Sequence, residues 1–465
     1  MSAVATAIAT RLAEIVGDAN LTANPADLAG YAIGPLRPSA VVRPGSAEET
    51  AEVITFAAAE KLSVVACGAR TKLDLGLPPR KYDLAIDVTR LNRVAAYDPD
   101  DLTLSVEPGL ALQQLSAILA ERGQFLPLEV PFFRRATVGG TIASAMDSPL
   151  RQLYGTARDF VLGMEFVTGD GACAKSGGRV VKNVTGYDLH KLMIGSLGTL
   201  GVITKINFRT FPLPRDARAF VANFDSAERA LDLRARVFLS PLKPLTMEVF
   251  SPGVAGLFCS EAATRVDPAA FPPNLLTGNG WAFTCGFAGT ENVLERYETD
   301  LRAMAAQAGA ATVSILQGDD VRAAFARKRE FVLIARESSP AATIIKTAVP
   351  PTRMQEVLAA IEASANGESL RWAAMGRGVG VIYAALLPDA LTDDARDRVA
   401  RAASRIQSAC EKAGGHATIP WCPFEWKAKL SVWGRERGDW AQMRKLKSVF
   451  DPRGILSPGR FVGGL

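Results

Sequence analysis

The sequence predicts an α+β protein built from more than one domain. Its 465 residues exceed the length over which a single hydrophobic core keeps growing, so two or three domains are expected. Hydrophobic residues make up 48% of the chain and charged residues 22%, which is typical of a globular protein. Strand-like and helix-like patterns alternate along the chain, and Pro212 and Pro214 interrupt them near the middle.

Charge and composition exclude several functional classes. The 53 Lys and Arg residues against 48 Asp and Glu residues leave a formal charge of +5, without the basic block that nucleic-acid binding requires. The six cysteines contain no CxxC pair and only two histidines occur, so we expect neither a metal site nor an iron–sulfur cluster. No apolar run reaches the ~18 residues of a membrane span, and we expect a cytoplasmic protein.

The elements before residue 215 have clear signals. A helical segment is expected within residues 1–39, and residues 40–68 predict a strand, a helix and a second strand. Ser46 and Glu49 form the pattern of a capping box at the start of that helix. Further strands are expected at 85–88, 102–106, 160–167 and 200–211, helices at 111–122 and 188–194, and a tight turn at 168–171. The last strand ends at the two prolines, where we place a domain boundary.

The second half predicts another α+β domain, over residues 215–430. Helices are expected near 226–238, 290–308, 352–363 and 393–413, with strands between them. Thr352 and Gln355 give a second capping-box pattern at the third of these helices. The segment 431–465 begins with a basic amphipathic stretch and ends in turn-forming sequences.

Three glycine-containing segments are candidates for binding a phosphate-bearing ligand. The formal GxGxxG match at Gly169 lacks the helix that a Rossmann site requires directly after it, so we interpret it as a hairpin turn. The three candidate segments are therefore Cys67–Lys72, Thr137–Thr141, and Lys182–Asp188 followed by 195–203. Glycines and exposed N–H groups in such loops let the backbone approach an anion closely. Each segment alone is equally explained as a loop that needs a positive φ. Three such segments in order along the chain are a more specific indication of a phosphate-binding site.

With further motifs, these segments resemble the FAD-linked oxidases of the vanillyl-alcohol oxidase (PCMH) type. Within that family the sequence is most similar to the FAD-binding E subunits of bacterial glycolate oxidases. The motifs that carry the resemblance are Gly68–Lys72, Tyr97, 123–129, Ala136–Thr141, 148–151, 158–163, 178–204 and Asp451–Phe461. The resemblance is strong over residues 40–214 and at the C-terminus, and patchy over 215–430.

The resemblance implies a two-part PCMH-type FAD-binding domain over residues 40–214 and an α+β cap domain over 215–430. Residues 431–465 would return to the FAD domain. The residues that it assigns to FAD are Gly68, Ala69, Arg70, Thr71, Lys72, Thr137, Gly139, Gly140, Thr141, Arg151, Gly155, Asp159, Val161, Gly198, Gly201, Val202 and Ile203. The resemblance also implies a structural clamp on this half of the FAD-binding domain, formed by Lys182, Asn183 and residues 186–188.

We expect noncovalent FAD. Relatives that attach FAD through histidine carry that histidine in the first loop, where this chain has Arg70, and no histidine precedes His190. Cys67 can be proposed as a thioether link, but a small apolar residue at the end of a strand explains it more simply.

The candidate catalytic residues are Arg329 and His416. Oxidising a 2-hydroxy acid needs a group that holds the carboxylate, a base for the hydroxyl proton and a flavin that accepts hydride. Arg329 can pair with a carboxylate and His416 can lie near the flavin, although each is also explained as a solvated or structural residue. Lys346 is a weaker candidate, and Tyr383 is interpreted as a packing residue. Related catalytic subunits hold a metal through paired histidines in the cap domain, which this chain lacks.

Two functions of different class remain open. In the first, the chain is the FAD-binding subunit of a glycolate oxidase-type complex. It would pass electrons between a catalytic flavoprotein subunit and an iron–sulfur subunit, and associate peripherally with the membrane through that complex. In the second, it is a self-sufficient FAD-dependent dehydrogenase of a small D-2-hydroxy acid such as lactate or glycolate. The missing histidine pair and cysteine cluster favour the first, and a flavin-binding scaffold without redox turnover is a third alternative.

Overall fold

The computed structural model describes residues 3–179, 186–269, 271–272 and 275–465. Within these ranges the α-helices span Ala3–Val16, Pro25–Leu28, Ala47–Ala59, Leu112–Ala120, Val138–Ala143, Arg151–Tyr154, Ala157–Phe160, His190–Met193, Ala227–Leu239, Gly253–Phe258, Glu261–Val266, Glu291–Gln307, Gly318–Arg329, Phe331–Glu337, Met354–Gly367, Asp393–Lys412 and Trp440–Phe450. No helix in the described part of the chain is long and apolar enough to cross a membrane. Helices and several separate sheets occur together, so the predicted α+β class is confirmed.

The first sheet contains four strands of the described chain. In spatial order they are Leu21–Thr22, Ala40–Val42, Leu84–Asp87 and Val64–Cys67. The last three are parallel, and helix Ala47–Ala59 provides the crossover that parallel pairing requires. Ser46 caps this helix by accepting a hydrogen bond from the backbone N–H of Glu49, as predicted. The Glu49 carboxylate accepts from Gly45 N instead of Ser46 N, so only half of the capping box forms.

The second sheet is antiparallel and ends in the predicted hairpin. Its strands, as far as the structure describes them, are Val94–Asp98, Thr103–Val106, Val202–Arg209, Val161–Val167 and Cys173–Gly177 in spatial order. A two-stranded pairing of Gln124–Phe125 with Phe211–Pro212 lies beside it. At the hairpin turn, a Cβ on Gly169 would lie only 2.3 Å from Oδ1 of Asp451, so this glycine allows the turn to pack on the C-terminal segment.

The third sheet, which we name the cap sheet, joins eight strands in the described second half. In spatial order they are Thr312–Leu316, Ala217–Phe224, Trp281–Ala288, Thr246–Phe250, Arg371–Arg377, Val381–Leu387, Thr343–Ala348 and His416–Trp421. Every recorded pairing among them is antiparallel. Four long amphipathic helices cover one face: Ala227–Leu239, Glu291–Gln307, Met354–Gly367 and Asp393–Lys412.

The opposite face of the cap sheet, which we name the inner face, packs toward the first half of the chain. Its buried side chains include Phe250, Met375, Tyr383 and Trp421. Leu75 belongs to the same hydrophobic cluster, and Phe132, Met146 and Leu197 pack against it. Because these residues come from loops of the first half, the inner face and the first half share one apolar interface.

The predicted capping box at Thr352 is wrong. The helix begins at Met354, its N-cap is Arg353, and no side chain caps it. A 3₁₀ turn over Pro351–Arg353 precedes the helix. The fixed φ of Pro351 starts this turn, so Thr352 lies inside it and not at the position where a hydroxyl can accept from the helix N-terminus.

The C-terminal segment extends the first sheet. The backbone N–H of Val64 donates to Ile455 O at 2.8 Å, and Ser457 N donates to Val64 O at 2.7 Å. The guanidinium of Arg460 then donates to the carbonyl oxygens of Leu73 and Leu75. The last fifteen residues therefore hold the loop that follows strand Val64–Cys67.

Candidate functional site

An open cleft lies where the first and second sheets meet. The residues that line it are Ala66, Cys67, Gly68, Ala69, Arg70, Thr71, Lys72, Leu73, Val88, Pro108, Thr137, Gly139, Gly140, Ala143, Ser144, Leu197, Gly198, Gly201, Val202, Ile203 and Arg460. They include every residue predicted to bind FAD except Thr141, Arg151, Gly155, Asp159 and Val161. The segments Cys67–Lys72 and Thr137–Thr141 therefore meet at one cleft. Residues from the stretch 195–203, which continues the third segment, line the same cleft.

The first loop holds a guanidinium in a fixed position. Arg70 has a φ of 60°, and its guanidinium carbon lies 4.3 Å from the ring centroid of Tyr31. Its Nη1 is 3.8 Å from Oδ2 of Asp87, a carboxyl oxygen that also accepts a 2.5 Å hydrogen bond from the Tyr31 hydroxyl. Sequence reasoning missed Tyr31 and Asp87, because only the folded sheet brings them beside the loop.

The second loop shows why glycines are needed here. Thr137 caps helix Val138–Ala143, and its Oγ1 accepts from Gly140 N at 3.3 Å. A Cβ on Gly68 would lie 2.2 Å from Oγ1 of Thr137, and one on Gly139 would lie 2.4 Å from Cβ of Pro108. These two glycines therefore allow two loops to pack together at the cleft. Around Gly140 the space is open, apart from Oγ1 of Thr137 at 3.1 Å from an added Cβ.

The residues of the cleft fit the FAD that the motifs predict. Arg70, Lys72 and Arg460 supply positive charge on one side, which suits a pyrophosphate. The hydroxyl of Ser457 is buried, has no hydrogen-bond partner among the described residues, and lies 3.7 Å from an added Cβ on Gly198. A buried polar atom without a partner is uncommon in native proteins, and a polar ligand in this cleft gives it one.

Lys72 is a cleft residue whose pKa is shifted into the physiological range. Its Nζ contacts Oγ1 of Thr71 at 3.3 Å and lies 5.6 Å from the ring centroid of Phe132. Burial lowers the pKa of Lys72 to about 8, although the negative charge of Glu330 opposes this shift. The ammonium is therefore charged below pH 8 and increasingly neutral above it.

We expect the affinity for FAD to fall as the pH rises through about 8. The protonated Lys72 attracts the pyrophosphate and the neutral amine does not, so the dissociation constant should be level below pH 7. Above pH 8 it should rise, by at most about tenfold for each pH unit, until it reaches the value for a neutral side chain at this position. Fluorescence titration of the apoprotein with FAD between pH 6.5 and 9.5 measures this. Lys72→Met should bind more weakly and without this dependence, whereas Lys81→Met, at an exposed site paired with Asp83, should behave as the wild type. A Lys72→Met protein with an unchanged pH profile would contradict the assignment.

Five predicted residues lie away from the cleft wall. Arg151 donates to Oδ1 of Asp147 at 2.6 Å, and Oδ2 of Asp159 accepts from the backbone N and the hydroxyl of Thr156 to cap helix Ala157–Phe160. Gly155 has a φ of 77° directly before that helix. Thr141 and Val161 are buried. A direct contact of these five residues with FAD stays a prediction.

The predicted clamp is only partly visible. Lys182 and Asn183 lie outside the described residues. Tyr187 is exposed, and Asp188 forms an ion pair with Lys191 at 2.9 Å.

Arg329 is already neutralised by two carboxylates. Its Nη1 lies 2.9 Å from Oε2 of Glu129 and its Nε lies 3.2 Å from Oε1 of Glu330. The guanidinium also covers the ring of Phe133 at 4.4 Å. Burial raises the pKa of Glu330, although the backbone N–H groups of Phe132 and Phe133 and the charge of Arg329 oppose this. Arg329 and Glu330 thereby connect the cap half with residues 129–133 of the first half.

His416 lies on the inner face at the edge of the cap sheet. It pairs with Ala348 in register, two residues from Lys346 on the adjacent strand. The residue is exposed, but partial desolvation of the ring and the positive charges of Arg437 and Lys346 lower the pKa of the imidazole. His416 is therefore neutral at pH 7 and can accept a proton.

Sequence reasoning did not bring together Asp147 and Arg377, two buried residues 230 positions apart. Nε of Arg377 lies 2.7 Å from Oδ2 of Asp147, and the two side chains are 4% and 2% exposed. Lys346 and Tyr383 lie beside them: Nζ of Lys346 is 5.7 Å, and the guanidinium carbon of Arg377 5.6 Å, from the Tyr383 ring centroid. Among the residues that the structure describes, no three His, Cys, Asp or Glu side chains are arranged to hold a metal ion.

Comparison with known proteins places the two halves in known domain families. Residues 38–177 match the FAD binding domain, and residues 213–461 match the C-terminal domain of FAD linked oxidases. The crystal structure of p-cresol methylhydroxylase with substrate bound superposes with a TM-score of 0.75 at 16% identity, covering 99% of this chain and 97% of that one. The two proteins therefore share a fold over almost their whole length.

Two glycolate oxidase subunits resemble the chain in different ways. Glycolate oxidase subunit GlcD of Bacillus subtilis is 26% identical over 426 residues, which are 91% of this chain and 88% of GlcD. Glycolate oxidase subunit GlcE of Escherichia coli is 40% identical over 165 residues, which are 35% of this chain and 47% of GlcE. The predicted similarity to E subunits is thus high but covers only part of the chain.

Proposed function

Because the chain belongs to the FAD-linked oxidases, we propose that it oxidises a small 2-hydroxy acid and passes the electrons to an external acceptor. It is an FAD-dependent oxidoreductase, as its motifs predicted. The observation that carries the proposal is the course of the loop after Ser144. Ser144 lines the FAD cleft, and three residues later Asp147 contacts Arg377 on the inner face of the cap sheet. The loop that leaves the cleft at Ser144 thus reaches the cationic side chains of the inner face, which suit an acid substrate.

The reaction removes two electrons and two protons from the hydroxy acid and leaves a 2-oxo acid. FAD, when bound, supplies the acceptor for the hydride that leaves the substrate carbon. The chain must hold the substrate carboxylate and accept the hydroxyl proton. We propose Nε2 or Nδ1 of His416 as that acceptor, since its lowered pKa keeps the imidazole neutral. Arg329, with two carboxylate neighbours, is better suited to fixing residues 129–133 than to holding a third carboxylate.

FAD is proposed to bind without a covalent link. The only cysteine on the cleft wall, among the residues described, is Cys67. It is buried, and burial raises the pKa of its thiol, so little thiolate is available for attack on a flavin.

Two forms of this function are supported by different observations. The 40% identity to GlcE over 165 residues supports an FAD-binding subunit that works with a catalytic flavoprotein subunit and an iron–sulfur subunit. The match to GlcD over 91% of the chain, together with the cationic inner face, supports a chain that oxidises the hydroxy acid itself, as a self-sufficient dehydrogenase of glycolate or D-lactate. The second form is the one that the geometry favours.

Anaerobic reduction of the purified chain separates the two forms. We expect glycolate or D-lactate to bleach the flavin absorbance near ~450 nm, while propane-1,2-diol, which lacks the carboxylate, leaves it unchanged. Reduction by dithionite but by neither acid, restored when partner subunits are added, would favour the complex subunit. Flavin that dithionite also fails to reduce would indicate a scaffold, and a chain that retains no added FAD would contradict the whole proposal.

A further inference from the structure

Three ionisable side chains of the cap sheet meet one carboxylate of the first half at the inner face. Lys346, Tyr383 and Arg377 lie on three neighbouring strands, and Lys346 and Tyr383 face each other in register. Asp147 reaches them from the loop after helix Val138–Ala143. We name Asp147, Lys346, Arg377 and Tyr383 the inner-face cluster.

The inner-face cluster carries more positive than negative charge. Asp147 is its carboxylate, and three cations influence it: Arg377, Lys346 and, through a 2.6 Å contact, Arg151. Burial would raise the pKa of Asp147, but these three cations outweigh burial and lower it, so the carboxylate is ionised. With Arg151 included, three cations surround one carboxylate, so two positive charges have no counter-ion among these four residues. Arg377 is 4% exposed, and an anion beside it would offset this excess charge.

Hydrogen bonding in the inner-face cluster is also incomplete. Nε and Nη1 of Arg377 and Oδ2 of Asp147 are buried and have no hydrogen-bond partner in the described chain. The 2.7 Å approach of Nε to Oδ2 therefore lacks the angle of a hydrogen bond, and Nη2 makes only a long 3.4 Å bond to the Asp147 carbonyl. Because Nε already lies against the Asp147 carboxylate, Nη1 is the nitrogen of Arg377 whose N–H groups are left to donate to a further carboxylate.

The position of the inner-face cluster connects it to the cofactor cleft. Ala143 and Ser144 line the cleft, and the chain turns at Ala145, which has a φ of 44°, before it reaches Asp147. Met146, between them, packs against both the core of the second sheet and the inner face. An anion held by Arg377 would thus lie beside the loop that forms one wall of the cleft.

Building on the proposed function, we propose that Arg377 and Lys346 bind the carboxylate of the substrate, a small 2-hydroxy acid. Arg377 donates through Nη1, which has no other partner in the described chain, and Lys346 provides a second charge. Asp147 is a positioning residue that keeps the guanidinium in place, and the ring of Tyr383 forms the wall beneath both cations. Arg329 is not needed for this contact.

Binding of oxalate, a stable dicarboxylate that cannot be oxidised by hydride loss, tests the site. Titration calorimetry and the change in the flavin spectrum of the holoprotein give its affinity. We expect Lys346→Met and Arg377→Lys to bind oxalate about 10- to 100-fold more weakly than the wild type, because each loses charge-assisted contacts. Arg371→Met is the matched control, since Arg371 begins the same strand but is exposed and paired with Asp389.

The outcomes separate this inference from the proposed function. FAD content and thermal unfolding of each variant establish that it is folded, and Lys346, which is not fully buried, gives a variant that does not disturb the core. If both folded variants bind oxalate as the wild type does while hydroxy acids still reduce the wild-type flavin, the inference is overturned and the function stands. Wild-type protein that binds no oxalate also overturns the inference. If both variants weaken oxalate binding, the result supports the inference. This holds even if no hydroxy acid reduces the flavin, an outcome that would contradict the proposed function.

Discussion

Gly140→Leu is expected to abolish stable FAD binding while leaving the protein folded. Gly140 lines the cleft, and an added Cβ meets only Oγ1 of Thr137, at 3.1 Å. A leucine side chain therefore extends into open space, and the open space beside residue 140 is the cleft. Overfilling a packed site costs about 1–3 kcal/mol, which corresponds to about 5- to 150-fold weaker binding. Flavin absorbance per polypeptide after gel filtration, and fluorescence titration with FAD, measure the loss.

The control for this substitution is Gly256→Leu. Gly256 also lies within a short helix, Gly253–Phe258, and an added Cβ there meets nothing within 4 Å. It is not on the cleft wall. We expect Gly256→Leu to retain FAD as the wild type does. If Gly140→Leu purifies with a full complement of FAD, then the cleft is not the FAD site.

The loops of the cleft could be predicted from the sequence because their requirements are local. Gly68 and Gly139 are needed where two loops pack closely, and glycines in such a loop can be recognised in the sequence before the fold is known. The hairpin turn at Gly169 was also recognisable, since the residues after it do not start a helix. Local chemistry thus identifies both the candidate phosphate-binding loops and the GxGxxG match that is a hairpin turn.

The inner-face cluster could not be predicted in the same way. Arg377 and Asp147 are 230 residues apart, and their contact depends on how the cap sheet packs on the first half. Lys346 gives the one local signal, since it stands among apolar residues of the buried strand Thr343–Ala348. The sequence also gave no clear pattern for the helices Glu261–Val266 and Phe331–Glu337, which are too short to show helical periodicity.

Asp451→Ala is expected to destabilise the fold by about 3–5 kcal/mol, because it removes the partner of a buried ammonium. Oδ2 of Asp451 lies 2.6 Å from Nζ of Lys447 and accepts from Leu456 N at 2.8 Å, and Oδ1 accepts from Ile455 N at 3.0 Å. The Lys447 ammonium also donates to the carbonyl oxygen of Thr199, beside Gly198 on the cleft wall. Urea unfolding followed by circular dichroism measures the change.

The comparison variant is Asp393→Ala, whose carboxylate is 89% exposed and pairs with Arg396 at the start of a helix. An exposed pair of this kind contributes about 0–1 kcal/mol, so this variant should unfold nearly as the wild type does. In the double variant Asp451→Ala/Lys447→Met, the uncompensated charge is gone, so the loss should be smaller than for Asp451→Ala alone. Equal stability of Asp451→Ala and Asp393→Ala would show that the C-terminal segment does not depend on this ion pair. A large loss specific to Asp451→Ala, accompanied by weaker FAD binding, would mean that this buried ion pair holds the cleft wall at Thr199 in place.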